Sequence, residues 1–146
     1  MTDQSTVKPP VWFWVVAAIG LVWNLFGVMA YLGSVYMPPE ALEALDPDRQ
    51  AFIENTPGWV TGAFAIAVFA GTLGCLLLLF RKKLAIPFLG ASLGGILVQQ
   101  YYGFIGSNAL EVYGTTEGLV LPLLVLVFAI LLIVLGRRAA GNGWIA

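Results

Sequence analysis

The feature that most constrains this chain is where its charges are missing. Val11 to Tyr36, Trp59 to Phe80, Leu84 to Phe104 and Gly118 to Leu135 contain no Asp, Glu, Lys, Arg or His. At ~1.5 Å per helical residue, each run covers or nearly covers a hydrocarbon layer ~30 Å thick. The expected fold is therefore an all-α membrane protein. A four transmembrane helix bundle, with spans at about 11–36, 59–80, 84–104 and 118–135, would form a single integral domain over 1–146. Composition agrees, with 10% charged and 60% hydrophobic residues, where soluble domains carry roughly 25% charged residues.

The first run differs from a signal peptide. Its apolar stretch far exceeds the roughly 7–15 residues of an h-region, and no convincing small-x-small site follows. It is expected to stay as the first span. At about 39 Å if wholly helical, it would tilt or protrude by a turn.

Charge assigns the sides. Lys8, the Arg81–Lys82–Lys83 turn and Arg137–Arg138 fall on one face of such a bundle, with Asp3 the acid that joins them. Glu40, Glu43, Asp46, Asp48, Glu54, Glu111 and Glu117 fall on the other, with Arg49. The positive-inside rule then puts both termini in the cytoplasm, and a bacterial inner membrane is the expected location. Aromatic belts follow the same division, with Trp12, Phe13, Trp14, Phe80 and Trp144 at the inner boundary and Tyr36, Trp59, Tyr101, Tyr102 and Tyr113 at the outer one.

Between the first two spans, residues 37–58 form a short amphipathic helical connector. Pro38–Pro39 ends the first span, Glu40 to Leu45 offers one or two turns, and Asp46–Pro47 is an N-cap and first-turn pair for a helix through Phe52 and Ile53. Thr56–Pro57 repeats that signal and is expected to start span two. The connector reads as an amphipathic segment on the lipid interface, or as a lid or docking surface.

Helices in lipid associate through small residues and interhelical hydrogen bonds rather than the hydrophobic effect. The expected packing residues are Gly20 and Gly27 in span one, Gly71 in span two, and the Gly90–Gly94 pair in span three, with Ala91 and Gly95 one position over. Ala63, Ala67, Gly71 and Gly74 form a stripe along span two. Span four, poor in small residues, is expected at the periphery.

The polar residues inside the spans are neutral. Asn24 lies about 20 Å along span one, Gln99 lies about 22 Å along span three, and Thr72 descends about 20 Å from Trp59. Ser92, Gly95, Gln99 and Tyr102 share a face of span three. Asn24, Gln99, Ser92, Thr72, Trp23 and Tyr102 are thus the candidate ligand-binding residues. Amides supply donor and acceptor together, while aromatic faces cover C–H surface. The bland alternative is that Asn24 and Gln99 bond to each other, at ~0.6 kcal/mol on average for such a contact.

Several function classes are excluded from first rank. Proton-coupled carriers normally keep an ionisable group in the membrane, and here the spans carry none. Cys75 is the one cysteine and histidine is absent, so disulfide, zinc, haem and His-based catalytic chemistry are not expected within the chain. No catalytic residue, metal site or cofactor is assigned. Nucleic acid is not an expected partner, because no clustered basic surface exists to meet phosphate.

The segments PPVWFW (Pro9–Trp14), WNLFGVMAYL (Trp23–Leu32), TPGWVTGAFAIAVF (Thr56–Phe69), GCLLLLFRKK (Gly74–Lys83) and the closing Arg137–Arg138 with GWIA (Gly143–Ala146) carry a resemblance over nearly the whole chain. It resembles a family of small four-span bacterial inner-membrane proteins labelled sugar transporters. The resemblance implies an inner-membrane location and a neutral sugar as ligand, and carries over no binding residues. Small sugar facilitators of the semiSWEET type use three helices per protomer and a Pro-Gln motif; this chain has no Pro-Gln pair. The leading expectation is a passive transporter or binder of a neutral small molecule such as a sugar, working as a homodimer in the bilayer. The alternative is a non-transporting scaffold that docks a partner through residues 37–58.

Overall fold

The computed structural model describes residues 7–146, so Asp3 lies outside the described residues. These residues form α1 (Val11–Val35), α2 (Pro39–Glu43), α3 (Pro47–Asn55), α4 (Gly58–Leu79), α5 (Ala85–Tyr101), a wide π-turn (Tyr102–Gly106), α6 (Ala109–Thr115), a second π-turn (Thr116–Val120) and α7 (Leu121–Gly141). No strand occurs among them. Three helical segments are long and apolar enough to cross a membrane: Val11–Val35, Gly58–Leu79 and the combined stretch Ala109–Gly141. Their outer faces present Ile19, Met29, Ile66, Leu131 and Val134, an apolar girdle far larger than the patches soluble proteins tolerate. The chain has the build of a membrane protein.

α4 and α5 make the most intimate pair. Glycine is required where they cross, because a Cβ on Gly95 would stand 2.7 Å from Ala63 O and 2.9 Å from Ala67 N. Ser92 fixes the crossing by donating from Oγ to Ala67 O at 2.6 Å. Ala63, Ala67, Gly71 and Gly74 are all buried along α4. α1 packs on the other side of α4, where Gly27 leaves room for Val68 and Gly20 for Leu132 and Cys75.

Three expectations are corrected here. Gly90 and Gly94 do not pack on another helix of the chain: a Cβ on either would meet nothing within 4 Å. The contact face of α5 is rotated onto Leu89, Ser92, Gly95 and Ile96, all buried. α7 faces largely outward, as expected of a peripheral span, but it is not purely peripheral: Ala129, Leu132, Leu135, Gly136 and Ala139 form a buried stripe against the core. Small residues make up much of that stripe because the helix runs on past Leu135 to Gly136 and Ala139. Finally, Thr56 does not cap α4, whose N-cap is Pro57; the Thr56 hydroxyl turns back onto Phe52 O at 2.7 Å and closes α3. Asp46 does cap α3, accepting from Arg49 N at 3.0 Å.

The basic segments meet at one end. Arg81, with a left-handed φ of 59°, donates from Nε to Trp144 O at 2.8 Å and from Nη2 to Val7 O at 2.9 Å. The backbones of Lys83 and Ala146 are joined by a 2.8 Å bond, and Arg138 lies 5.7 Å over the Trp12 ring. Phe13 and Trp144, expected in an interfacial belt, are instead buried with Ala17, Cys75, Leu78 and Leu135 in the main core cluster. Their rings meet edge to face at 5.8 Å, so this half of the bundle is closed by aromatic packing.

Candidate functional site

The opposite, acidic half is hollow. α1 and α7 touch low in the bundle, where Gly20 faces Leu132 and the rings of Trp23 and Phe128 stack at 4.5 Å between centroids. Beyond that stack they diverge. The space between them, backed by α4 and α5, is a cleft of about 1010 Å³, at the upper end of ligand pockets, which run to ~1,000 Å³.

Its floor is set by Trp23, Asn24, Ala67, Val68, Ser92 and Ala129. The polar donors there are already committed. Asn24 Nδ2 donates to Gly20 O at 2.8 Å, one turn back on its own helix, and lies 3.6 Å from Cys75 Sγ. Its Oδ1 lies against Gly71, where any Cβ would collide with it. Ser92 donates to Ala67 O. Asn24 and Gln99 therefore do not bond to each other; each meets the cleft separately.

Higher up, Thr61, Gln99, Gln100, Tyr102 and Tyr113 line the wall. Gln100 donates from Nε2 to Pro122 O at 2.6 Å, whereas the Gln99 side chain has no hydrogen bond among the described residues. Two π-turns shape this rim, and Tyr102 and Gly103 come from one, Glu117 and Gly118 from the other. Such wide turns re-aim side chains and recur at functional positions. Gly114, at φ 79° and ψ −178°, bends the chain through a region essentially restricted to glycine. That bend carries the chain from α6 into the second π-turn.

The second helix of the connector, α3, lies over the open end of the cleft and covers it like a lid. Phe52 packs on Tyr113 at 5.2 Å and on Tyr102 at 6.1 Å, and Phe52, Ile53 and Thr56 all line the cleft. Arg49 reaches across to α6 and beyond, lying 5.0 Å over the Tyr113 ring and 3.6 Å from Glu117. Gln50 ties the lid together by donating to Glu43 O and Leu45 O.

Of the sequence candidates, Trp23, Asn24, Ser92, Gln99 and Tyr102 come together around this cleft. Thr72 does not; its hydroxyl donates to Val68 O on its own helix at 2.7 Å. The lid residues Phe52 and Ile53 and the rim residues Tyr113 and Glu117 were not anticipated as lining. The amphipathic character of 37–58 pointed towards Phe52 and Ile53, and no signal pointed to Tyr113 and Glu117. No cluster of three or more His, Cys, Asp or Glu able to hold a metal occurs among the described residues. Compared with known proteins, the chain matches no family model, no curated protein and no solved structure.

Proposed function

We propose that this protein is a four-span inner-membrane binder, and conditional conductor, of a neutral small molecule. In this reading α5 is the remaining span. Its 17 residues cover about 25 Å at ~1.5 Å per residue, and the five-residue π-turn that continues it brings the total towards the ~30 Å of a hydrocarbon core. The basic end faces the cytoplasm by the positive-inside rule. The cleft then opens away from the cytoplasm.

One observation carries the reading: a single cleft reached by both Asn24 at its floor and Gln99 at its rim, without an amide-to-amide bond closing it. A neutral occupant fits, because Glu117 is the one carboxylate on the lining and it is paired with Arg49. Passage to the other side requires the Trp23–Phe128 stack and the Gly20–Leu132 contact to part. A sugar, the ligand that the family resemblance implies, is one candidate within this class. The scaffold alternative draws less support, since the apolar side of α3 is spent on Tyr102, Tyr113 and the cleft.

Uptake of labelled neutral solutes into proteoliposomes tests the proposal. Flux above that of empty vesicles, lowered at least about tenfold by Gln99→Leu, is the expected result. No flux and no saturable binding for a panel of neutral solutes would overturn it.

A further inference from the structure

Resting on that reading of the cleft, we propose that its occupant is a neutral amphipath with a hydrocarbon body and a small polar head, admitted sideways from the bilayer between α1 and α7. The polarity of the walls is graded along the cleft. At the floor, Asn24 and Ser92 have committed their donors to protein carbonyls, and Trp23, Val68 and Ala129 complete an apolar surface. At the rim, the Gln99 amide and the Thr61 hydroxyl line the cleft with no hydrogen bond among the described residues. On a floor this largely apolar, a polyhydroxylated molecule would find little beyond the acceptors Asn24 Oδ1 and Ser92 Oγ for its many hydroxyls. A tail on the floor with its head at Gln99 sets hydrocarbon against the mostly apolar surface and the polar head against a side-chain amide that has no other partner among the described residues.

The same geometry supplies the route. Phe26 on α1 and Leu121 on α7 line the cleft yet are 64% and 47% exposed. The seam between the two helices therefore opens on the apolar girdle. From Ser92 on α5 to Gly103 in the first π-turn the cleft runs about 16 Å at ~1.5 Å per residue, enough for an extended chain rather than a compact ring alone. With Glu117 held by Arg49, the head that fits is uncharged.

The test uses the full chain in phosphatidylcholine nanodiscs and a monoacylglycerol carrying a diazirine near its chain end. After photolysis, labelled peptides are mapped. The expected result is labelling around Trp23 and Val125–Ala129, competed by unlabelled monoacylglycerol but not by methyl glucoside. Gln99→Leu should reduce labelling at least about fivefold. Ala30→Trp, placed at the exposed rim of the seam so that the fold is undisturbed, should reduce it similarly. Equal labelling of these residues by a chain-diazirine phosphatidylcholine would overturn the proposal by making the cleft an unselective lipid groove. Cross-links joining two chains across the seam would also overturn it, by giving the seam to a second copy. Competition by methyl glucoside would overturn the amphipath while leaving the neutral-ligand reading standing. If the floor is unlabelled and methyl glucoside fails to bind, both fall together.

Discussion

Adjacent glycines on α5 have opposite surroundings, and Gly95→Ala against Gly94→Ala turns that into a sharp prediction. At Gly95 a new Cβ would lie 2.7 Å from Ala63 O, 2.9 Å from Ala67 N and 3.2 Å from Ala67 Cα. Carbon contacts are optimal near 3.5–4.0 Å, so α4 and α5 must separate by roughly half an ångström or more. Because the obstacles are backbone atoms, no rotamer change relieves them. Overpacking of this kind costs about 1–3 kcal/mol, and removing a helical glycine returns about 0.5–1 kcal/mol. A net loss of about 1–2 kcal/mol follows, a factor of roughly 5–30 in the folded-to-unfolded ratio. Separation also stretches the Ser92–Ala67 bond that fixes the cleft floor. Gly94→Ala meets nothing within 4 Å and should be neutral or slightly stabilising. Unfolding in mixed detergent micelles, followed by circular dichroism, measures both. Equal stability of the two variants, or a loss at Gly94 matching that at Gly95, would refute the helix pairing described here.

Two further outcomes are expected. Gly114→Ala places a Cβ in a backbone region essentially closed to it and should cost about 1–3 kcal/mol, read in the same unfolding assay; a neutral result would remove the bend between α6 and the second π-turn. Arg49→Ala should change stability by less than about 1 kcal/mol, since its ion pairs are partly exposed and screened. It should nevertheless raise the hydrogen-exchange rate of α3 several-fold by freeing the lid from Tyr113 and Glu117, and unchanged exchange would count against the latch.

Much of the helical outline was legible because lipid leaves few choices to an uncharged apolar run, and Asp46–Pro47 marked the start of α3 through local capping chemistry alone. Depth was legible only in part: counting residues put Asn24 and Gln99 at one level, but Asn24 sits beside Ser92 at Gly71, and Gln99 lies seven residues, about 10 Å, further along α5. Azimuth was not. The Gly90–Gly94 spacing looked like a packing pair, but the face that α5 buries is decided by which neighbour can approach most closely, and Gly95 and Ser92 offered α4 the closer fit. Thr72 was misplaced for a related reason, since a hydroxyl in a helix can satisfy itself one turn back. The lid was hidden because the partners of Phe52 and Arg49 lie far along the chain, at Tyr102, Tyr113 and Glu117. Phe13 and Trp144 were read as belt residues from position alone, whereas the turn at Arg81 draws the 144–146 segment inward over them.

The central claim is a cleft open at the acidic end and sealed towards the basic end. Thiol access to Gln99→Cys in oriented proteoliposomes tests it most directly, because the native Cys75 is fully buried and serves as an internal control. A membrane-impermeant maleimide should modify Gln99→Cys from the acidic side, leave it untouched from the basic side, and spare Cys75 from both. Modification from the basic side, or none from either, would contradict the one-sided cleft.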